Sequence, residues 1–537
     1  MKKIIINISL VAAVLLTVAG CTKKFDDINT DPTKASAANF DPNLLLPTAE
    51  LGYLGATTGY NGPILFQSMW SQIFASAIFP GYYSGGDKYV VGGSFLSYQG
   101  RTWDAGYQAA NYFREIQNLT KGNAALSNLS GAAVIGEVLN IEAITDTYGD
   151  VPYSQALQAK TGLSLPVYDK QQDVYTAMLA KLDSVIPTLD AAKAKPTNDI
   201  LPYKGDIAQW KKFGYSLMLR MAMRLTKADI VNAKKYAEKA FTGGVFASNA
   251  DNAYITYNNT NGYNNANSAA LTTGQDYSEV KWGKVLIDYL KVTADPRLSV
   301  ISEVPQPGVA NAAKQNLAGI STAALQMGMP NGYDQNGGAT SITTAPGYPG
   351  PTGTGADANA TGAYSRPTTA VYLSLSAPAF ILTYAQTEFL LAEAAVRGWA
   401  VGASASVHYA NALSASIQTY GQINAVGAIS AATANVYAAA NPLDVSTTAN
   451  SLKQINTEYW ILTGTIFDFS EAWSNWRRSG YPVLAPVNYT GNFTAGTIPR
   501  RQSYPTGESS SNPANYKTAA ATITGGDLYS GRVWWDK

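Results

Sequence analysis

Two chemically versatile residue types are almost missing from this sequence of 537 residues, which has one cysteine, Cys21, and one histidine, His408. A single cysteine excludes internal disulfides, and a single histidine excludes a His-rich zinc site, a Ser-His-Asp triad and a Cys-His pair. No phosphate-binding loop and no glycine fingerprint for dinucleotides occurs either. We therefore expect no cofactor and identify no metal ligands, while the sequence leaves open whether a structural metal ion is bound.

Charged residues are also scarce, at 14% of the chain against a typical value of about 25%. The net charge is +1, and no run of lysine and arginine exceeds two residues, so nucleic acid is not an expected partner. Hydrophobic residues make up 46%, which indicates a globular chain. A glycoside hydrolase needs only two suitably spaced carboxylates, so that enzyme class stays open.

Long apolar runs are missing from the chain after the N-terminal segment. No stretch there approaches 18 consecutive apolar residues. Residues 1–20 have the layout of a signal peptide, with two lysines before an apolar run over 4–18. The run ends at residues 18–21 (VAGC), which resembles a bacterial lipobox. We predict cleavage before Cys21 and lipidation of its thiol, with the lipid as the only membrane attachment. The alternative is an ordinary secretory signal with a chance cysteine.

The mature chain divides into a tether and one large domain. Residues 21–50 predict the tether, because prolines at positions 32, 42 and 47 interrupt any helix. Residues 51–537 predict a single α-helical domain. Two segments inside it predict long inserted loops, since 257–275 is rich in Asn and 304–370 is rich in Gly, Pro, Ala and Thr.

Apolar residues at spacings of three and four predict amphipathic helices in five segments. These are 132–147, which should end near Tyr148; a helix after a capping box at Asp169 and Gln172, closed by Pro187; a helix capped by Asp206; a short helix over 231–241; and 380–397, stopped by Gly398. Residues 400–450 are less regular, and we expect helices there too. Helices of this length with short turns predict antiparallel pairs, as in helical-hairpin arrays.

Short motifs are spread over most of the chain. In order, they are 145–153 (TDTYGDVPY), 210–213 (WKKF), 219–224 (LRMAMR), 295–297 (DPR), 329–332 (MPNG), 392–394 (AEA), 397–399 (RGW), 476–482 (WRRSGYP) and 500–501 (RR). In this order they resemble the motifs of the SusD/RagB-like nutrient-binding outer-membrane lipoproteins of Bacteroidetes. Tyr215 departs from the pattern, because the family usually has Asn there.

The resemblance implies an all-α fold of tetratricopeptide-like helical hairpins, whose long irregular loops form a ligand-binding face. It also implies a lipoprotein of the outer-membrane surface that captures an oligosaccharide or a peptide and delivers it to a SusC-like TonB-dependent transporter. Such proteins do no chemistry. Two alternatives stay open: a surface glycoside hydrolase with paired carboxylates, and a surface-layer or adhesin protein, which the helical periodicity disfavours.

The charged residues of the motifs are more simply explained as structure than as a site. Asp146 and Asp150 flank a turn at a helix end, which predicts turn and cap hydrogen bonds. His408 is expected to be a packed or surface histidine. The arginines expected to pair with acidic residues of the same motifs are Arg220, Arg224, Arg477 and Arg478.

The ligand site is expected where aromatic rings lie in glycine-rich sequence, because 34 Tyr and 10 Trp are too many for the core. Sugars present C–H faces that stack on such rings, and a pocket adds a few placed polar groups. The first choice is the segment 79–107, which also holds Tyr98 and Tyr107. The ligand-binding residues predicted in it are Tyr82, Tyr83, Tyr89, Arg101 and Trp103, and those of the second-choice loop are Asn331, Tyr333 and Asp334.

Overall fold

A computed structural model describes residues 40–91, 93–312 and 316–537. The predicted signal peptide, the predicted lipidation site at Cys21 and most of the predicted tether lie outside these residues. Residues 43–537 form one compact unit.

Thirteen α-helices of nine residues or more occur in the described part of the chain, and we number them in order. They are α1 (Leu46–Thr57), α2 (Arg101–Thr120), α3 (Ser127–Tyr148), α4 (Gln171–Val185), α5 (Ile207–Arg224), α6 (Ile230–Gly243), α7 (Lys284–Val292), α8 (Tyr384–Val396), α9 (Ala405–Gln418), α10 (Ala431–Ala440), α11 (Thr448–Thr465), α12 (Phe469–Ser479) and α13 (Pro513–Thr522). Shorter helical segments are Gln67–Trp70, Ser84–Lys88, Gly93–Tyr98, Ala266–Thr272, Gly274–Glu279, Leu298–Ile301, Val309–Ala312, Thr369–Tyr372, Tyr420–Ile423 and Glu508–Ser511.

Consecutive long helices pack against each other as hairpins. The pairs are α2 with α3, α5 with α6, α8 with α9, and α11 with α12. Their connections are short (121–126, 225–229, 397–404 and 466–468), which favours antiparallel neighbours. The predicted helical-hairpin scaffold is confirmed, and so are helices within 400–450.

Strands contribute little to the fold. The three antiparallel pairs are β1 (Phe74–Ala75) with β3 (Lys281–Trp282), β2 (Ala253–Thr256) with β6 (Pro378–Leu382), and β4 (Ser302–Glu303) with β5 (Arg366–Pro367). The β2–β6 pair corrects the predicted helix over 380–397, because Phe380 pairs with Tyr254 as a strand residue. Helix α8 starts only after Thr383, which caps it in a capping box with Gln386.

Helix α3 is the central helix of the scaffold. It ends at Tyr148 as predicted, where Gly149 adopts a positive φ of 90°. The prediction of one apolar stripe is too narrow, since the helix is buried on nearly all sides. Ala124–Tyr148 is the one helical segment of the described chain that is long and apolar enough to cross a membrane. However, 67% of its most apolar 18-residue window is buried inside the protein. It is therefore a core helix.

The sequence predicts capping residues for the starts of α5 and α4, and the first prediction is correct while the second is wrong. Asp206 caps α5 as predicted, accepting from the amide of Gln209 at 3.0 Å. Asp169 does not cap α4, because its carboxylate accepts from the amide of Tyr153 at 2.9 Å. Asp150 caps α4 instead, because its carboxylate accepts a hydrogen bond from the amide of Gln171, the first residue of α4, at 2.8 Å.

The packed chain begins earlier than the predicted tether end at residue 50. Helix α1 starts at Leu46, and its residues Ala49 and Glu50 are buried. Pro47 lies in the first turn of α1, where backbone N–H groups have no partner within the helix. Its missing N–H therefore costs nothing there, and the proline starts the helix instead of interrupting it.

Three of the four motif arginines form buried ion pairs, and two of them, Arg224 and Arg478, pair with acidic residues of the motifs as predicted. The pairs are Arg220 with Glu142, Arg224 with Asp146 and Glu471, and Arg478 with Glu393. Arg477 donates instead to the backbone carbonyl of Asp146, at 2.7 Å. Asp146 is thus a core partner of arginines and not a turn residue, while His408 is packed against Glu388 at 2.8 Å. The motifs therefore hold helices together.

The two predicted loop insertions contain mostly irregular chain and short helical turns. Within 257–275 the structure adds the helix Ala266–Thr272. Part of 304–370 packs into a small second core, in which Met329, Ile342 and Tyr364 cluster with Ala75 of β1. This insertion is therefore fixed to the chain segment that leads into the first predicted ligand loop.

Candidate ligand-binding face

The first predicted ligand segment divides into buried rings and surface rings. Tyr83 and Tyr89 are fully buried and Trp103 is 7% exposed, so the expectation that rings of this segment lie outside the core is wrong for these three. The glycines of the segment explain why these rings are buried. A Cβ on Gly86 would lie 1.9 Å from the carbonyl oxygen of Leu65, so its absence lets the segment approach the core.

The buried rings make contacts that fix the surrounding chain. The hydroxyl of Tyr83 donates to Asp276 at 3.1 Å, and Tyr89 ends the helix Ser84–Lys88 in the left-handed conformation. The Trp103 ring has its neighbours at centroid distances of 5.0 to 5.9 Å, namely Tyr107, Tyr148, Tyr168 and Tyr504. Their ligand-binding roles stay predictions, and these contacts hold the segment in place.

Three tyrosine rings lie together at the surface, and we call them the tyrosine ledge. The ring centroid of Tyr60 is 5.6 Å from that of Tyr82 and 6.0 Å from that of Tyr98, and the latter two are 5.9 Å apart. Tyr60 is 40% exposed and the other two are half-buried. Burial, and then the neighbouring Tyr98, raise the pKa of Tyr82, so its phenol stays protonated at neutral pH. The ledge is an aromatic surface in which the Tyr82 ring contacts both of the others.

Tyr60 is the ledge residue that sequence reasoning misses. It follows α1 in the stretch 59–62 (GYNG), whose glycines and Asn signal a turn but do not indicate a neighbour. The amide of Gly59 donates to the side chain of Asn267 at 2.8 Å, which ties this turn to the helix Ala266–Thr272. Packing of this turn against the segment 79–107 therefore creates the ledge.

A cavity of about 640 Å³ adjoins the ledge, and we call it the ledge cavity. Its lining is mixed, with rings, amides, one cation and one carboxylate. The lining residues are Asn61, Ser97, Tyr98, Arg101, Trp103, Asp104, Ala105, Tyr107 and Gln108. Two of the predicted ligand residues, Arg101 and Trp103, thus line the same cavity. Its composition is that of a site for a neutral polar ligand with apolar faces.

The start of helix α2 positions the charged residues of the cavity. Arg101 is its first residue and Asp104 lies in its first turn. The buried side chain of Gln99 donates to the carbonyl of Tyr504 at 3.0 Å, which anchors this helix start to the C-terminal part of the chain. Arg101 and Asp104 therefore project from a fixed helix and not from a free loop.

The second predicted loop lies beside the first but serves mainly as structure. Asn331 donates to the carboxylate of Asp87 at 2.6 Å, and the hydroxyl of Tyr489 donates to Asp334 at 2.6 Å. Burial opposes ionisation of Asp334, but the hydrogen bond from Tyr489 and others hold its pKa below the ordinary value. Tyr333 lines a separate cavity of about 450 Å³. The two predicted segments thus meet, but their surface rings face different cavities.

Four other cavities of the described part of the chain bear on the enzyme alternative. None of the five cavities, including the ledge cavity, has more than one carboxylate in its lining; the carboxylates concerned are Asp104, Asp150, Asp288 and Asp468. The common mechanism of glycoside hydrolysis uses two carboxylates flanking one bond. Among the described residues, no group of three or more potential ligands could hold a metal ion either.

Comparison with known proteins identifies the family. The model of a family described as "Starch-binding associating with outer membrane", SusD-like, matches residues 71–505. A solved structure described as a chitin-binding protein is 30% identical, with a TM-score of 0.75, and the match covers 93% of this chain and 100% of that one. No curated protein sequence is significantly similar. The chain belongs to the SusD-like family.

Two further solved structures share the fold. One, described as Bacteroidetes AC2a SusD-like, is 22% identical with a TM-score of 0.78, covering 93% of this chain and all of the other. A chitin-binding SusD homolog from Flavobacterium johnsoniae is 24% identical with a TM-score of 0.72, covering 92% of this chain and 98% of the other. The fold is therefore the helical, tetratricopeptide-like fold of this family, as the sequence predicts.

Proposed function

We propose that this protein is a non-enzymatic glycan-binding protein of the outer-membrane surface, whose ligand stacks on the tyrosine ledge and enters the ledge cavity. The observation that carries the proposal is the juxtaposition of three surface phenol rings with a cavity of about 640 Å³ lined by amides and charged groups. Stacking faces and placed polar groups together are what a sugar requires. The outer-membrane association of the family agrees with this role.

Chitin-type oligosaccharides are the first ligands to consider. The relative that is 30% identical over nearly the whole chain is described as chitin-binding. A linear chain of β-linked sugars presents successive ring faces, and the ledge offers three tyrosine rings about 6 Å apart. Such a ligand can therefore contact the ledge with one sugar and the cavity with the next.

A binding role is favoured over hydrolysis by the cavity linings. The ledge cavity has Asp104 as its carboxylate, and the other described cavities have no pair of carboxylates in their linings. We infer from the family that the bound glycan is delivered to a SusC-like TonB-dependent transporter, and that a lipid on Cys21 holds the protein at the membrane. A peptide ligand would need neither the ring faces nor the spacing of the ledge.

The proposal is tested by calorimetric titration of the soluble chain without residues 1–21 against chitin hexasaccharide. We expect saturable binding with one sugar chain per protein. Chromatography of the mixture after prolonged incubation should return the hexasaccharide intact. Cleavage products from the pure protein would support the hydrolase alternative, and the absence of binding to any glycan, with binding to peptides, would contradict the proposal.

A further inference from the structure

Arg101 differs from every other arginine of the chain. The sequence has twelve arginines, all within the described residues, and eleven of them donate hydrogen bonds to carboxylates, carbonyls or hydroxyls. The Nε of Arg101 is buried and has no hydrogen-bond partner within the described chain. The terminal nitrogens of Arg101 also make no hydrogen bond within the described chain. Because they are not enclosed as the Nε is, they are the donors that a ligand in the ledge cavity can reach.

The surroundings of Arg101 hold its side chain in place without neutralising it. A Cβ on Gly62 would lie 3.0 Å from the Cδ of Arg101, and one on Gly59 would lie 3.5 Å from its Nη2, so these glycines leave room for the guanidinium group. Burial lowers the pKa of Arg101, and the neighbouring Tyr60, Tyr82 and Tyr257 offset only part of that effect. The result is a fixed, partly dehydrated cation beside the tyrosine ledge.

Asp104 lies three residues further along the same helix and lines the same cavity. Residues at this spacing are neighbours on one face of a helix. Burial raises the pKa of Asp104, and no donor within the described residues offsets that effect. The cavity is therefore lined by a cation and a solvent-exposed carboxylate that lie three residues apart on one helix, and neither is paired within the described chain.

A free acid is a poor match for this pair, because Asp104 would repel a carboxylate that approached Arg101. A secondary amide matches this pair better, because its C=O accepts a hydrogen bond and its N–H donates one in the opposite direction. A planar amide between the two side chains can therefore bond to Arg101 through its oxygen and to Asp104 through its N–H. The methyl of an acetyl group also finds apolar partners, because Trp103 and Ala105 line the same cavity. The amide carbonyl is moreover a stronger acceptor than a sugar hydroxyl.

We infer that Arg101 and Asp104 recognise the acetamido group of a 2-acetamido sugar, with Arg101 donating to the acetyl carbonyl and Asp104 accepting from the amide N–H. The inference rests on the proposed glycan-binding function and adds to it the residues that determine specificity. The protein should then prefer N-acetylated oligosaccharides to those with a free hydroxyl or a free amine at the same carbon.

The test compares three hexasaccharides with the same linkage, those of chitin, chitosan and cellulose, together with an oligogalacturonate as the acidic ligand. By calorimetry the soluble chain should bind the chitin hexasaccharide tenfold to a hundredfold more tightly than the others, as about 1.5 to 3 kcal/mol per charged hydrogen bond implies. In Arg101→Met and Asp104→Leu this preference should fall at least fivefold. Tyr98→Ala should weaken binding of all the neutral ligands alike and leave the preference unchanged.

The outcomes separate this inference from the proposed function. Equal affinities of the wild type for the chitin and cellulose hexasaccharides would overturn the inference while leaving a glycan-binding protein. Tighter binding of the oligogalacturonate would also overturn it. Because these comparisons need only the wild type, they decide the question even if a variant fails to fold. If no glycan binds at all, the proposed function fails, and the inference fails with it.

Discussion

Replacing Glu393 by glutamine should destabilise the protein strongly at neutral pH and much less in acid. Glu393 is 1% exposed and accepts two hydrogen bonds from Arg478, at 2.7 and 2.8 Å, and two from Arg397, at 2.8 and 3.1 Å. The side-chain amide of Asn456 donates a further one at 3.1 Å. Burial alone would raise its pKa, but the two guanidinium groups outweigh burial and lower the pKa of Glu393 to about 2. The substitution removes the charge that both cations require.

The magnitude follows from this pKa. The difference between about 2 and the ordinary 4.5 corresponds to about 3 kcal/mol of stability. Breaking a buried ion pair by removing one partner costs a similar amount, about 3 to 5 kcal/mol. Because the folded pKa is the lower one, this stability is fully present above the unfolded pKa. It is lost as the pH falls towards 2, and by more than half at pH 3.

Differential scanning calorimetry of the wild type and Glu393→Gln at several pH values measures the effect. For a folded unit of this size, about 3 kcal/mol corresponds to a decrease in Tm of about 3 °C at pH 7. The difference in Tm should shrink between pH 5 and pH 3. Asp288→Asn is the control, because its ion pair with Lys284 is half-exposed and contributes little. A decrease in Tm that is equal at pH 7 and pH 3 would refute the reasoning.

Three further predictions concern the anchor, the partner and the packing. Cys21→Ala should release the protein from membranes; retention in carbonate-washed membranes would contradict lipid anchoring. Affinity purification of the lipidated protein should retain a large β-barrel transporter, whose absence under mild detergent would count against delivery. Gly86→Ala should destabilise the protein by about 1 to 3 kcal/mol, because the new methyl meets the fixed carbonyl of Leu65. Gly55→Ala, whose Cβ has space in a helix, should be neutral or stabilising in the same melts.

Helix ends are predictable from the sequence where one residue determines them. Gly149 and Gly398 end helices in positive-φ conformations, and Asp206 caps α5 with its own carboxylate. The strand over 378–382 is not predictable in this way, because its apolar run fits a buried helix equally well. Its pairing with Tyr254, more than a hundred residues away, decides its conformation. Local chemistry thus determines the caps, whereas long-range pairing determines the strand.

The candidate face is predictable only in part, for a similar reason. The glycine-rich segment does bring rings to the surface, but Tyr82 lies on the ledge while the adjacent Tyr83 points into the core. Composition cannot distinguish two neighbouring tyrosines, since the packing of the glycines around them decides which is buried. Tyr60 comes from a different segment altogether. Its neighbours on the ledge are determined by tertiary contacts alone.

The central claim is that the glycan stacks on the tyrosine ledge, and single alanine variants test it most directly. Calorimetric titration with chitin hexasaccharide should show that Tyr60→Ala, Tyr82→Ala and Tyr98→Ala each weaken binding by about 1 to 3 kcal/mol, by analogy with base stacking on aromatic rings. Tyr112→Ala, on the same helix as Arg101 but about three turns away, should bind like the wild type. Unchanged affinity in the three ledge variants, with weaker binding by Tyr333→Ala, would contradict the claim and place the ligand in the other cavity.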